Sequence, residues 1–178
     1  MPKVYLAAIM GQGGWLTSYG VARMAKTTEQ LGIQADVFAY GDTDKIAAAV
    51  DAHRTTGYLI AGLGYSLGVS ALTYAQSSFS GHVGRKFDLV LCVAGSRLGQ
   101  NYPIDHAKTT RSVLWRGPGV LSGAGGDLGF DVVHDVAGAP HLWMDFAPEV
   151  ATGVEAELGS LLGGTRGVPD GVSAVQKR

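Results

Sequence analysis

The sequence predicts an α/β fold: a mostly parallel sheet of about six strands with helices on both faces. Two observations predict it. Short apolar runs alternate along the chain with longer segments whose apolar residues fall on one helical face, the order expected of repeated strand–helix units. Many of the 27 glycines stand where a strand would hand over to a loop, as tight turns and a backbone-lined site require. The bulk composition agrees. With 46% of its 178 residues apolar and 16% charged, the chain has the make-up of a globular protein, long enough to bury a proper core. Residues 1–162 are expected to form one domain. Residues 163–178, rich in Gly, Val and charge without periodicity, are expected to be a flexible C-terminal tail.

The elements follow in order. Residues 4–10 are an apolar run ending in Gly11-Gln12-Gly13-Gly14, read as the first strand and its loop. A helix is expected over 18–31, with Val21, Met24, Ala25 and Leu31 near one face and Gly32 as its stop. The second strand covers 35–40. Asp42 or Thr43 caps a helix over 44–54 whose Ile46, Ala49 and Val50 face inward. Residues 58–63 read as a buried third strand and 69–76, free of Gly and Pro, as a short helix. Residues 87–94, 112–116 and 130–137 supply the remaining strands. A glycine-rich loop spans 117–129, and the last helix spans 148–162. Cys92, the single cysteine, sits in the fourth strand and reads as a small core hydrophobe.

Charge excludes some partners. The formal net charge is -1 and no basic run appears, which argues against nucleic acid or an anionic membrane surface. No apolar run is long enough to span a bilayer. Met1-Pro2-Lys3 enters a strand at once, leaving no room for a signal peptide. A cytoplasmic or otherwise soluble protein is expected, with a phage or virion setting left open. No cofactor or metal is called for.

The most informative residues are Gly64-Tyr65-Ser66-Leu67-Gly68, which fit Gly-x-Ser-x-Gly, the pattern of a nucleophile elbow. An apolar strand precedes them and a helix follows, the context that motif needs. In so sharp a turn a Cβ at either glycine would collide with neighbouring backbone. A serine hydroxyl is a poor nucleophile until a base takes its proton. Of the five histidines, His141 is best placed, because the loop Gly138-Ala139-Pro140-His141 opens at the same sheet edge as Ser66. His53 and His106 belong to the opposite edge, His82 to a Gly/Ser loop and His134 to a strand. An oxyanion hole needs two backbone N–H donors. Leu67, the residue after the serine, would supply one and Gln12 the other, with Gly11 and Gly13 shaping the loop. The acid is less clear from the residues. Asp127, near the end of the glycine-rich loop, ranks first and Asp105 second. Asp145 ranks third and looks more like the cap of the last helix. Trp15, Trp143, Leu142, Tyr65 and Tyr102 are candidates for an apolar, substrate-binding rim.

The strand and glycine loop at 4–14, the elbow at 64–68 and the late His141 before a terminal helix resemble the α/β-hydrolase superfamily over about residues 4–162. Nucleophile first and histidine last is that family's order. The small size resembles its minimal, lid-poor cutinase-like and lipase-like members. The resemblance implies a minimal α/β-hydrolase fold, Ser66 as nucleophile, His141 as base, and Leu67 with the 11–13 loop as oxyanion hole. Two departures stand out: the chain begins at what would be the third strand, and no carboxylate follows the fifth strand, where Arg116-Gly117-Pro118-Gly119 stands instead.

The expected function is cleavage of a small-molecule or lipid-like carboxylic ester through an acyl-enzyme. A non-catalytic binding or scaffolding protein on the same fold is the alternative, since fold does not carry function. A nucleotide-binding domain is less favoured. Gly11-Gln12-Gly13-Gly14 follows the first strand, and Asp36 or Asp42 follows at a plausible distance. But Leu16 stands where a third glycine should be, and no Lys-Ser/Thr phosphate loop exists.

Overall fold

Alternating apolar runs and amphipathic segments become six strands and four helices in the computed structural model, which describes residues 2–76, 86–96, 102–118 and 128–163. In chain order these are β1 (Val4–Met10), α1 (Tyr19–Glu29), β2 (Gln34–Ala39), α2 (Thr43–Thr55), β3 (Leu59–Tyr65), α3 (Leu67–Gln76), β4 (Leu89–Val93), β5 (Ser112–Arg116), β6 (Val132–Asp135) and α4 (Pro148–Gly163). Single 3-10 turns occupy Gly14–Leu16 and His141–Phe146. Every strand pair is parallel and the order is β2-β1-β3-β4-β5-β6. This is the expected α/β fold, consistent with a minimal α/β-hydrolase architecture.

Strand periodicity divides the core into two layers. Val4, Leu6, Ala8 and Met10 of β1 pack with Val21 and Met24 of α1 and Val150, Val154 and Leu158 of α4. Tyr5, Ala7 and Ile9, on the other face, pack with Ile46 and Val50 of α2 and Val69 and Leu72 of α3. Both faces are covered, so β1, β3 and β4 read as nearly continuous apolar runs rather than alternating ones. The edge strands β2 and β6 alternate in exposure. Cys92 is buried in the second layer, where burial pushes its thiol pKa well up, as a core hydrophobe requires. Arg111, just before β5, grips Glu157 of α4 through two hydrogen bonds of 2.6 Å and ties the last helix to the sheet.

Some boundaries differ from expectation. β3 runs on to Tyr65 and α3 starts at Leu67, so a single residue separates strand from helix. β4 begins at Leu89 because Asp88 is occupied: its carboxylate accepts from the Ile60 N–H at 2.7 Å and from Arg54 at 2.8 Å. β6 begins at Val132, since the Asp131 carboxylate accepts from the Ser112 N–H and hydroxyl.

The strand order places a crevice. From β1 the chain passes to β2 on one side; from β3 it passes to β4 on the other. The loops leaving the carboxyl ends of β1 and β3 therefore diverge, and a topological switch point lies between them. The tail at 164–178, the connection at 77–85 and most of the glycine-rich loop lie outside the described residues.

Candidate active site

Ser66 occupies that switch point. Its φ is 55°, in the left-handed region, which a non-glycine residue adopts at a cost of about 1–3 kcal/mol. Its backbone is fully engaged: the N–H donates to the Val93 carbonyl and the carbonyl accepts from the Val69 N–H, both at 3.1 Å. The flanking glycines are needed for close approach. A Cβ on Gly68 would stand 2.2 Å from the Ile9 carbonyl oxygen, and one on Gly64 would stand 2.7 Å from the Gly68 carbonyl oxygen. The elbow is thus wedged between β1 and α3, and the serine side chain is pushed out at the sheet edge.

His141 opens the 3-10 turn that leads into α4. Its Nε2 lies 2.8 Å from Ser66 Oγ, so the two residues the sequence singled out, 75 positions apart, meet. The residue is only 8% exposed, and burial lowers its pKa below the ordinary 6.5. Near neutral pH it is the uncharged base, able to accept the serine proton at Nε2 when its own proton is on Nδ1.

Nδ1 is buried and has no hydrogen-bond partner among the described residues. Asp127, the first-ranked acid, lies outside them. Asp105 is placed elsewhere: its carboxylate accepts from the Ala107 N–H at 3.0 Å and pairs with Lys108 at 3.2 Å. The physical reason is direction. Lys108 pairs through its carbonyl with Phe87 just before β4, so this segment sits at the amino edge of the sheet, opposite His141. Asp145 does not cap α4 as expected. It is buried and faces the start of α1, where a Cβ on Gly20 would come 2.7 Å from its carboxyl carbon. Neither of its carboxyl oxygens makes a well-formed hydrogen bond among the described residues. The Gly20 and Val21 amides nearby favour the charged form, but burial outweighs them and pushes the pKa up to about 6.

Around the pair, the loop after β1 and the 3-10 turn supply the remaining candidates. Leu67 opens α3, so its N–H has no intrahelical acceptor. The Gln12 side chain is exposed, and its carbonyl accepts from the Thr17 hydroxyl. The Gly11 N–H is taken, donating at 3.0 Å to the fully buried Ser18 hydroxyl, a residue that sequence reasoning passed over as an ordinary start of a helix. Trp15 and Trp143 are 60% and 63% exposed; Leu16, Tyr19, Leu142 and Phe146 are exposed as well. All six sit on the two segments that carry Gly11 and His141. A shallow cavity of about 370 Å³ opens beside Pro140, Trp143 and Phe146. Tyr65 does not join this rim. It is 1% exposed, and its hydroxyl donates to the His141 carbonyl at 2.5 Å. Residue alternation explains this: Gly64 meets α3, so Tyr65 points to the opposite layer, beneath the turn that carries His141.

The other described histidines have structural surroundings. His53 stacks on Tyr5 with ring centres 3.7 Å apart, His134 stacks on Trp115 at 5.5 Å, and His106 reaches the Gly129 carbonyl at 2.7 Å. His82 lies outside the described residues.

Among solved structures, the chain is similar to the crystal structure of the ydeN gene product from B. subtilis. The TM-score is 0.61 at 12% identity, covering 89% of this chain and 100% of the other. At that identity the likeness shows the fold alone. No family model matches the chain, and no curated protein matches it. None of the described helices is long and apolar enough to cross a membrane.

Proposed function

We propose that the chain is a serine hydrolase cleaving carboxylic esters through an acyl-enzyme. One observation carries the reading: a serine held at φ 55° on a strand-to-helix elbow, with an imidazole Nε2 2.8 Å from its hydroxyl. Ser66 Oγ attacks the ester carbonyl carbon while His141 Nε2 takes its proton. The developing oxyanion is held by the Leu67 and Gln12 N–H groups. His141 returns the proton to the departing alcohol, and water, activated by the same imidazole, then releases the acid and restores Ser66. Asp127 is the carboxylate proposed to orient Nδ1. The exposed Trp15, Leu142 and Trp143 favour an apolar, lipid-like acyl or alcohol group, since burying each methylene is worth about 0.8 kcal/mol.

A fluorophosphonate probe and a p-nitrophenyl ester series test this. Wild type should be labelled and Ser66→Ala should not. Ser66→Ala and His141→Ala should each lose about a hundredfold or more in turnover. Turnover should favour longer acyl chains, and that preference should shrink in Trp143→Ala. Wild-type turnover in His141→Ala would show the base to be misassigned. That His141 Nδ1 has no hydrogen-bond partner among the described residues favours one other reading, a non-catalytic binding protein on this fold. Indifference of wild type to the probe would select it.

A further inference from the structure

We infer that Tyr65, the residue just before the nucleophile, is the positioning residue for the base: its hydroxyl fixes the His141 main chain, and its ring bounds the imidazole. The inference rests on the serine–histidine reading above and assigns Tyr65 a part in that same site.

The distances carry it. Tyr65 Oη donates to the His141 carbonyl oxygen at 2.5 Å across 76 residues of sequence, in a buried setting. Its ring centre lies 5.7 Å from that of His141, with the planes 28° apart. Tyr65 itself is rigid. It is the last residue of β3 and is paired to Val93 of β4. Ser66 follows it directly and is tied to the same Val93 through the carbonyl. One strand end therefore sets both positions in the Oγ–Nε2 contact, the serine through the chain and the histidine through the phenol. In a serine–histidine–acid triad, the carboxylate at Nδ1 holds the ring. Here Nδ1 meets no partner among the described residues, while the carbonyl of the same residue is firmly held. Burial and the neighbouring Asp145 keep the phenol protonated, so it remains a donor at any working pH.

The test is Tyr65→Phe, which keeps the ring and removes the donor. With ester substrate, kcat should fall by about tenfold or more while KM holds, because orientation rather than binding is lost. In a His141→Ala background the same change should have no further effect, since Tyr65 acts through His141. Tyr65→Met, which fills the slot without a donor, should behave like Tyr65→Phe; thermal unfolding and circular dichroism check that both fold. A readout without turnover is the ¹⁵N signal of the His141 ring. In wild type, Nε2 should shift when Ser66 becomes alanine. In Tyr65→Phe that Ser66-dependent shift should be lost. Wild-type kcat in Tyr65→Phe, an equal loss in the His141→Ala background, or an unchanged Ser66-dependent shift would each overturn the inference. If Ser66→Ala and His141→Ala lose activity while Tyr65→Phe keeps it, only the role of Tyr65 fails. If those two keep activity, the hydrolase reading fails, and the ring signal alone decides whether Tyr65 holds the histidine.

Discussion

Gly11 and Ser66 meet across the switch point between β1 and β3: a Cβ built on Gly11 would stand 2.8 Å from the Ser66 Cβ and 3.0 Å from the Tyr65 carbonyl oxygen. The contact is tighter than two carbons tolerate, and the Tyr65 side of it is backbone that cannot swing away. Gly11→Ala must push the β1 loop and the elbow apart. A misplacement of this kind costs about a hundredfold in turnover. Gly11 is buried and part of the clash is against backbone, so the unfolding temperature should fall as well. Ester hydrolysis with a parallel thermal melt checks both. Turnover within about twofold of wild type would mean the loop does not set the serine's position.

The left-handed φ of Ser66 makes a separate prediction about stability. Glycine adopts φ 55° without the Cβ penalty that serine and alanine share. Ser66→Gly should therefore be more stable than Ser66→Ala by about 1 kcal/mol, after the greater freedom of glycine in the unfolded chain is set against the relieved strain. Urea denaturation of the two variants measures the difference. Equal midpoints would show that the elbow is unstrained. Both variants should be inactive on esters, so stability and activity would part company at one residue.

Periodicity and punctuation made the fold legible. Residues 112–116 became β5 with the expected bounds, and residues 4–10 became β1, because apolar runs ended by Gly or charge leave little choice of strand. The meeting of Ser66 and His141 was legible for a topological reason: in a parallel sheet both loops must open at the carboxyl edge. Tyr65 was not legible as a support. The motif marks it as a variable position, and only the side-chain alternation of β3 turns it from the solvent rim into the layer beneath His141. Asp145 was misread for a related reason. Its place before α4 resembles a cap, yet the 3-10 turn rotates it towards α1, a contact between segments far apart in sequence. Asp105 was misplaced because its distance in sequence from the β4 end conceals a return to the amino edge.

The burial of His141 predicts the pH profile. Desolvation penalises the imidazolium, so the ring stays neutral to lower pH than its ordinary 6.5. The proposed mechanism needs the neutral imidazole. The ratio kcat/KM for a p-nitrophenyl ester, which reports the free enzyme, should rise with pH through an inflection below that value and then stay level through neutrality. The Asp127 carboxylate proposed at Nδ1 acts in the opposite sense, so an inflection above 6.5 would show that it outweighs burial in setting this pKa.

Asp145 and His141 should bend stability with pH in opposite directions. Asp145 has a folded pKa of about 6 against an ordinary 3.8. Its contribution is therefore fully present below the ordinary value and is lost as pH rises through about 6, because the folded state binds the proton more tightly. A shift of about two units corresponds to about 3 kcal/mol. His141, lowered by burial, contributes stability above 6.5 that is lost as pH falls through its folded pKa. Asp145→Asn removes the first dependence and leaves the second. Urea denaturation at about pH 4 and about pH 8 should show wild type losing about 2 kcal/mol relative to Asp145→Asn on going to the higher pH, part of the loss having already occurred by pH 4. The neutral amide should also keep the place of the carboxyl beside Gly20, so ester turnover should persist in the variant. A difference that does not change between the two pH values would mean that Asp145 is ionised in the folded protein at both, with the α1 amides outweighing its burial.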